Sequence, residues 1–430
     1  MRIWLSTIGE PVPVDACSRD RLLRTGYFAH FLAENGHDVV WWTSTFDHFR
    51  KQHLFPADNT VQINSHLEIR LLHGCGYQSN LSISRILDHR QIARKFSKMA
   101  KTEPPPDIIV SAFPAIELSL EAIKYGETYQ VPVIIDIRDM WPDIFVDSVP
   151  NPLMAFVKLL TILMFKQSQR IFSSATGITG ITNAFVEWSI KRGDRARSRF
   201  DKAFPLGYIN KSPSPDKLRE AEQFWDNHGV VETNQRFIVC YVGTIARWAD
   251  LTTVIEAARK LRQGGKNILF VICGTGDRFE YYRSMITDDP NIIFTGWVDF
   301  SQIYILMRRS AVGLDPLPDR YDFLATVNNK AIEYMSAGLP IISSPDRGTL
   351  CNLLREKDCG VSYTYGDVNA LANALGWLCD NSAALKRMSE NSARLFQEMF
   401  TAEKVYSEMM DYLFEVAEKY KQRRRFGAQA

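Results

Sequence analysis

The sequence predicts an α/β protein built from two Rossmann-like units in series, and three observations carry that expectation. Short β-rich runs alternate with helical stretches along the whole chain, the pattern of parallel sheets joined by crossover helices. The alternation pauses at residues 204–217, "FPLGYINKSPSPDK", a stretch rich in Pro, Ser and Gly, and then restarts. The 430 residues also exceed one ordinary core, so two domains of about 200 residues each are expected.

In the first half, strands are predicted at 2–6 (RIWLS), 38–44 (DVVWWTS), 67–72 (LEIRLL), 107–113 (DIIVSAF), 131–137 (VPVIIDI) and 177–182 (GITGIT). Between the first two, Leu22, Leu23, Tyr27, Phe28, Phe31 and Leu32 recur at helical spacing, and Asn35-Gly36 closes the helix. The second half continues with strands at 236–243, 268–274, 292–298, 312–317, 340–344 and 360–364. From about residue 401 a last helix places Val405, Met409, Leu413 and Val416 on one stripe. The domains expected are therefore 1–207 and 208–400, followed by a C-terminal helix over 401–430.

Composition excludes several classes. A net charge of +2 gives no global field for nucleic acid. No run reaches about 18 apolar residues, so no span is expected, and "MRIWLSTIGE" turns polar too soon for a signal peptide. The seven cysteines are scattered without a CxxC pair, which fits a reducing, cytoplasmic setting and no metal centre. Cys240 and Cys273 sit in apolar runs where small core residues belong.

The chemistry concentrates in the second half. "YVGTIARWADLTTVIEAA" (241–258) reads as strand, turn at Gly243, and helix, a geometry that aims backbone N–H groups at an anion. Arg247 lies inside that turn, either as a bidentate grip on a diphosphate or as a solvated loop residue. "CGTGD" (273–277) places Gly274 in a tight βα turn. In "TVNNKAIEYMSAGLP" (326–340), residues 326–329, including Thr326, Asn328 and Asn329, can cap a helix that begins near Lys330. Lys330 and Glu333 on a helix about to be buried need a partner, and a ligand facing them is one candidate. Glu333, one turn in, suits the hydroxyls of a ribose; the plainer alternative is an exposed Lys/Glu pair.

Taken in order, "NNKAIEYMSAGLPI", "CGTGD", "NIIFTGWVDFSQIYILMRRSAVGLDPL" and, earlier, "VPVIIDIRDMWPD" resemble the retaining GT-B glycosyltransferases of family 4. The branch resembled builds bacterial O-antigen, lipopolysaccharide and capsule units and includes the fucosamine transferases. The resemblance implies two Rossmann-like domains facing a cleft, with the C-terminal helix crossing back to the first domain. It implies a nucleotide-sugar donor, UDP-linked, and no cofactor or metal. Glu333 then resembles the acid on the donor ribose, and Arg247 and Lys330 the cations on the departing diphosphate. By the same resemblance, Gly243, Thr244, Gly274, Thr326, Asn328 and Asn329 are expected to line the donor, Val298 to read the base through its backbone, and Gly9 to approach the phosphates. Asp139 is a candidate catalytic base, with Asp136 and Arg138 on the acceptor side. The chain departs from the family pattern at Ala325, where a first acid is usual, and at Thr244, where a cation is usual. Asp319 and Asp322 are the nearest substitutes for that acid, and no clear counterpart of the first domain's histidine is present. A non-catalytic GT-B subunit or a UDP-sugar epimerase therefore stand as alternatives.

Two further stretches bear on the acceptor. From Leu153 to Phe165 only Lys158 and Thr161 break an apolar run, too short to span but long enough to lie in a membrane interface. Residues 188–202 hold Lys191, Arg192, Arg195, Arg197, Arg199 and Lys202 behind Trp188. Together they suit an anionic membrane surface and a polyprenyl-diphosphate-linked saccharide acceptor, with the protein peripheral on the inner face of the plasma membrane. The alternatives are a buried core helix and a solvated charge run.

Overall fold

A computed structural model describes residues 1–14, 22–80, 82–147, 149–231, 236–286 and 289–427, with side chains through Gln422. Cys17 and the start of the helical stretch at 18–21 lie outside the described residues. The chain divides into two compact units: Met1–Pro205 together with Tyr406–Ala430, and Leu206–Val405.

The first unit contains strands β1 (Arg2–Ser6), β2 (Asp38–Ser44), β3 (Phe46–Asp47), β4 (Gln52–His53) and β5 (Asn59–Asn64). It continues with β6 (Leu67–Leu72), β7 (Ile108–Phe113), β8 (Val133–Ile137), β9 (Gly177–Gly180) and β10 (Lys202–Ala203). Its helices are α1 (Arg24–Glu34), α2 (Ile83–Met99), α3 (Ile116–Tyr129), α4 (Asp143–Asp147), α5 (Asn151–Leu160), α6 (Ile162–Ser174) and α7 (Asn183–Gly193). Eight strands form one sheet in the order β10-β9-β8-β7-β1-β2-β6-β5, and β3 and β4 make a separate hairpin. β2, β7 and β8 are buried almost throughout, as strands covered by helices on both faces must be. Trp4 and Trp42 meet edge to face at 5.4 Å, and Phe96 of α2 closes on Trp42 at 5.2 Å. β5 is the exception: it runs antiparallel to β6, and its residues alternate between half-buried and exposed. Its polar sequence NTVQIN suits a sheet edge with one wet face, and no apolar run marks it. Helix α1 ends at Asn35, with Gly36 at φ +77 supplying the left-handed turn.

α5 is unusual in that none of its ten residues is buried. Phe156, Leu159 and Leu160 are at least 60% exposed, and Leu163 of α6 is 61% exposed, so this stretch is not a core helix. The basic segment behind it differs from its sequence appearance. Trp188 is buried against Phe113 and Phe172, and its Nε1 donates to Asp143, so it is no surface anchor. Arg192, Arg195 and Arg197 are paired with Asp143, Asp201 and Glu187, which cancels half of the run's six charges. No helix among the described residues is long and apolar enough to cross a membrane.

The second unit contains β11 (Phe237–Val242), β12 (Ile268–Cys273), β13 (Ile292–Gly296), β14 (Val312–Pro316), β15 (Ile341–Ser344) and β16 (Gly360–Ser362). They form a parallel sheet in the order β13-β12-β11-β14-β15-β16. Around it lie α8 (Pro215–Asn227), α9 (Leu251–Gln263), α10 (Phe279–Met285), α11 (Phe300–Arg309) and α12 (Tyr321–Leu324). α13 (Asn329–Ser336), α14 (Thr349–Lys357), α15 (Val368–Asp380) and α16 (Ser382–Met399) complete it. Separate apolar clusters hold Cys240, Tyr334 and Leu306 on one side and Val239, Val254 and Leu375 on the other. The last helix, α17 (Ala402–Gly427), begins in the second unit and contributes Tyr406 onward to the first.

Candidate functional site

The second sheet places its two central strands, β11 and β14, so that their carboxyl ends meet the start of α13. In open α/β sheets that edge is where ligands bind. Near the end of β14 lies Asp315, a carboxylate with no exposed surface. Lys330, in the first turn of α13, brings its Nζ within 3.3 Å of Asp315 Oδ1. Its ammonium also lies over the rings of Tyr241 and Trp248, at 4.8 and 5.0 Å from their centroids. The partner that this inward-facing lysine needs is therefore supplied by protein. Burial by itself would lower the Lys330 pKa, but Tyr241 and Asp315 outweigh it and the net shift is upward from 10.5. The site thus holds a permanent cation whose side chain is 13% exposed.

Asn328 caps α13: its Oδ1 accepts from the Ala331 N–H at 2.9 Å, while its Nδ2 donates to Asp315 Oδ2 at 2.5 Å. Tyr334, one turn later, is buried, and its Oη accepts from the Val242 N–H at 3.0 Å. Helix, strand β11 and strand β14 are locked together by these contacts, which fixes where Lys330 points. Glycines permit the close approach. Gly274 sits at φ +138, and a Cβ there would fall 1.8 Å from the Gly243 carbonyl oxygen. At Gly243 a Cβ would press on the Lys330 side chain at 3.0 Å.

Around this centre, Thr244 and Arg247 are exposed in the loop after β11. Among the described residues Arg247 has no hydrogen bond or ion pair, whereas Tyr241 Oη donates to the Thr244 carbonyl at 2.8 Å. Thr326 is half-buried and Asn329 exposed at the start of α13, and Glu333 is half-buried on the same helix. Val298, after β13, has its side chain in the core, which leaves only its backbone for recognition. Asp319 is held by Arg347 and Asp322 by Arg320, so neither nearby acid stands unpaired. No group of three His, Cys, Asp or Glu among the described residues is placed to hold a metal ion.

In the first unit, Gly9 adopts φ +90 in the loop after β1, beside His48. Asp136, expected on the acceptor side, is fully buried near the end of β8. Its carboxylate accepts from Arg24 Nε at 3.0 Å, Arg138 Nε at 2.9 Å and Thr179 Oγ1 at 2.7 Å. Arg138 is 20% exposed and also paired with Glu10, whose carboxylate in turn accepts the Thr25 N–H at 3.0 Å. Asp139 accepts from the Met140 N–H at 2.8 Å and from Trp141 Nε1 at 3.1 Å, which orients that ring. Asp315, Tyr241 and Trp248 escaped the sequence reading. The signal for Asp315 was an acid inside the apolar strand run VGLDPL, directly before a proline.

Residues 236–381 match the family model described as glycosyl transferases group 1, which takes in β11–β16. The chain superposes on a sucrose-phosphate synthase from Thermosynechococcus elongatus with a TM-score of 0.70 at 16% identity, over 100% of both chains. The fold is GT-B. A second GT-B neighbour is the Anabaena HepE protein in complex with UDP, at TM-score 0.63 and 15% identity over 96% of this chain and 99% of that one. In sequence, the chain is 27% identical over 215 residues to an alpha-D-kanosaminyltransferase of Streptomyces kanamyceticus. That match takes in 47% of this chain and spans about half (53%) of the relative's length.

Proposed function

We propose that this GT-B protein is a retaining, metal-independent glycosyltransferase. It moves a sugar from a UDP-linked donor to a lipid-linked saccharide in bacterial surface polysaccharide synthesis, of the O-antigen or capsule type. The observation that carries the reading is the Lys330 ammonium, fixed by Asp315 at the carboxyl end of β14, with the unpaired Arg247 in the adjacent loop. The group 1 match over 236–381, the kanosaminyltransferase relative and the UDP-bound neighbour all support it.

In this reaction the bond from the anomeric carbon to the β-phosphate oxygen breaks, and its electron pair stays on the phosphate. The acceptor oxygen bonds the same face of that carbon, and its proton passes to the departing phosphate. Negative charge therefore grows on the diphosphate as the bond lengthens. Lys330, already fixed by Asp315, meets that charge without reorganising, and Arg247 adds a second cation; one well-placed donor contributes about 3–4 kcal/mol. The free N–H groups at the start of α13 add to it. Glu333, on the same helix, accepts from the ribose hydroxyls.

Incubating the protein with UDP-, GDP-, dTDP- and ADP-sugars and measuring nucleotide release tests this. UDP release is expected, and it should persist in EDTA, because Lys330 and Arg247 would neutralise the diphosphate in place of a metal. Loss on chelation with recovery on Mg²⁺ would overturn the metal-independent mechanism. No release from any donor would favour the non-catalytic alternative.

The exposed apolar face of α5 supports the lipid-linked acceptor. Burying it gains about 25 cal/mol per Å² of apolar surface, although the paired arginines at 192–197 leave less charge for an anionic leaflet than the sequence suggested. Phe156→Asp with Leu160→Asp should release the protein from phosphatidylglycerol vesicles and leave its melting temperature unchanged, since neither residue is packed. Wild-type protein that ignores such vesicles would point to a soluble acceptor.

A further inference from the structure

The first unit holds a second pair of cations that the donor site does not use. Lys51, in the β3–β4 hairpin, is held at φ 56, a left-handed conformation that disfavours a non-glycine residue. Its Nζ donates to Asn80 Oδ1 at 2.5 Å, and Arg85 Nη1 donates to the Asn80 carbonyl at 3.0 Å. Both cations also lie over the Tyr77 ring, at 4.9 and 5.5 Å. Two like charges are thus drawn onto one asparagine and one ring. Among the described residues neither forms an ion pair with a carboxylate, and Arg85 Nε is buried with no partner.

The neighbouring acids offset these charges only in part: Asp139, Glu117 and Asp88 act on Arg85 and Asp47 acts on Lys51, yet burial leaves both cations lowered. Asp88 accepts from the Gly76 N–H at 2.7 Å, Asp139 orients Trp141, and Glu117 lies 4.0 Å from His89 and 3.9 Å from Arg90. Burial lowers the Lys51 pKa, and Arg85 lowers it further; His48, bonded to Tyr77 Oη at 2.6 Å, is held at about 4 by burial and by these same two charges. The Arg85 guanidinium stacks on Trp141 at 4.5 Å, which fixes its plane. Lys51, Tyr77 and Trp141 follow β2, β6 and β8 at the carboxyl ends of parallel strands, Arg85 lies in the first turn of α2, and Gly9 after β1 is alongside His48.

We propose that Lys51 and Arg85 form a binding site for a phosphate ester, flanked by the Tyr77 and Trp141 rings. A phosphate monoester carries a charge of about −1.5 to −2, which matches two cations, whereas a carboxylate carries only one. A planar guanidinium suits bidentate phosphate binding, and the ring faces suit an attached sugar. The site deepens the transferase reading by giving its acceptor an anionic phosphate, and in that respect it rests on that reading.

The test is calorimetric titration of UDP-saturated protein with inorganic pyrophosphate. Binding by wild type is expected, with Lys51→Gln and Arg85→Gln each weakening it about tenfold, close to 1.4 kcal/mol, while UDP affinity stays unchanged. Arg85→Lys, which keeps the charge but not the fork, should fall between. Wild type that does not bind pyrophosphate, or a Lys51→Gln variant that binds it unchanged, overturns the site. Failure to bind UDP would defeat the donor reading instead, and the pyrophosphate titration without UDP then decides this one by the same Lys51→Gln comparison. Competition by glucose 1-phosphate identifies a soluble ester. Lys51-dependent recruitment to phosphatidylcholine vesicles only when they carry undecaprenyl phosphate identifies a lipid one. Neither result would count against the site.

Discussion

Lys330→Ala is expected to lower turnover about 100- to 1,000-fold, the usual loss for removing one donor aimed at developing charge. It should also destabilise the second unit, because Asp315 is fully buried and, among the described residues, its carboxylate keeps only Asn328 as a partner, through Oδ2. Stranding a buried charge costs up to about 3–5 kcal/mol, and the Asn328 contact places the expected loss toward the lower end. Urea unfolding and UDP release, measured on the same preparation, separate the two effects. A folded Lys330→Ala protein with near-wild-type turnover would remove Lys330 from the reaction.

Truncation after Val405 should leave the first unit unable to fold. Tyr406, Met409, Tyr412, Leu413 and Val416 are all buried. Tyr406 stacks on Phe28 at 5.8 Å, and Tyr412 Oη donates to the Phe200 carbonyl at 2.6 Å. Burying a large side chain is worth about 1.5–3 kcal/mol, so losing five forfeits about 7.5–15 kcal/mol, comparable to the roughly 5–15 kcal/mol that holds a typical domain together. Insoluble protein is the expected outcome, read by sedimentation after expression. A soluble truncated protein with its full complement of secondary structure would show the helix to be dispensable. The cut belongs after Val405 and not before Phe400, since Phe400 is core to the second unit and its carbonyl accepts from the Tyr208 N–H at 2.8 Å.

The sequence carried the fold well where local pattern decides it. Strands such as RIWLS and ILFVIC are apolar on both faces, and the Asn35-Gly36 stop is a matter of backbone geometry at two residues. Long-range partners were not legible. Lys330 was singled out for needing a partner, but Asp315 lies on a strand 15 positions earlier, and only the sheet brings the two together. The burial of Asp136 was not legible either, because its partner Arg24 lies 112 residues away. Trp188 seemed a surface aromatic until Phe113 and Phe172 enclosed it. The apolar run at 153–165 left core and surface open, since periodicity records which face is apolar and not whether anything covers it. The β3–β4 hairpin that carries Lys51 is two residues per strand, below what any pattern reveals.

Under the proposed function, the carboxyl end of the second sheet grips a nucleotide diphosphate. Arg247 tests it most cleanly, because its side chain is exposed and bonded to nothing among the described residues, so its loss should not disturb the fold. Calorimetric titration with UDP of wild type, Arg247→Ala and Glu333→Ala is the measurement. The account predicts UDP binding by wild type and a loss of about 1–3 kcal/mol in each variant, with unfolding midpoints unchanged for Arg247→Ala. UDP affinity that is the same in all three proteins would contradict it.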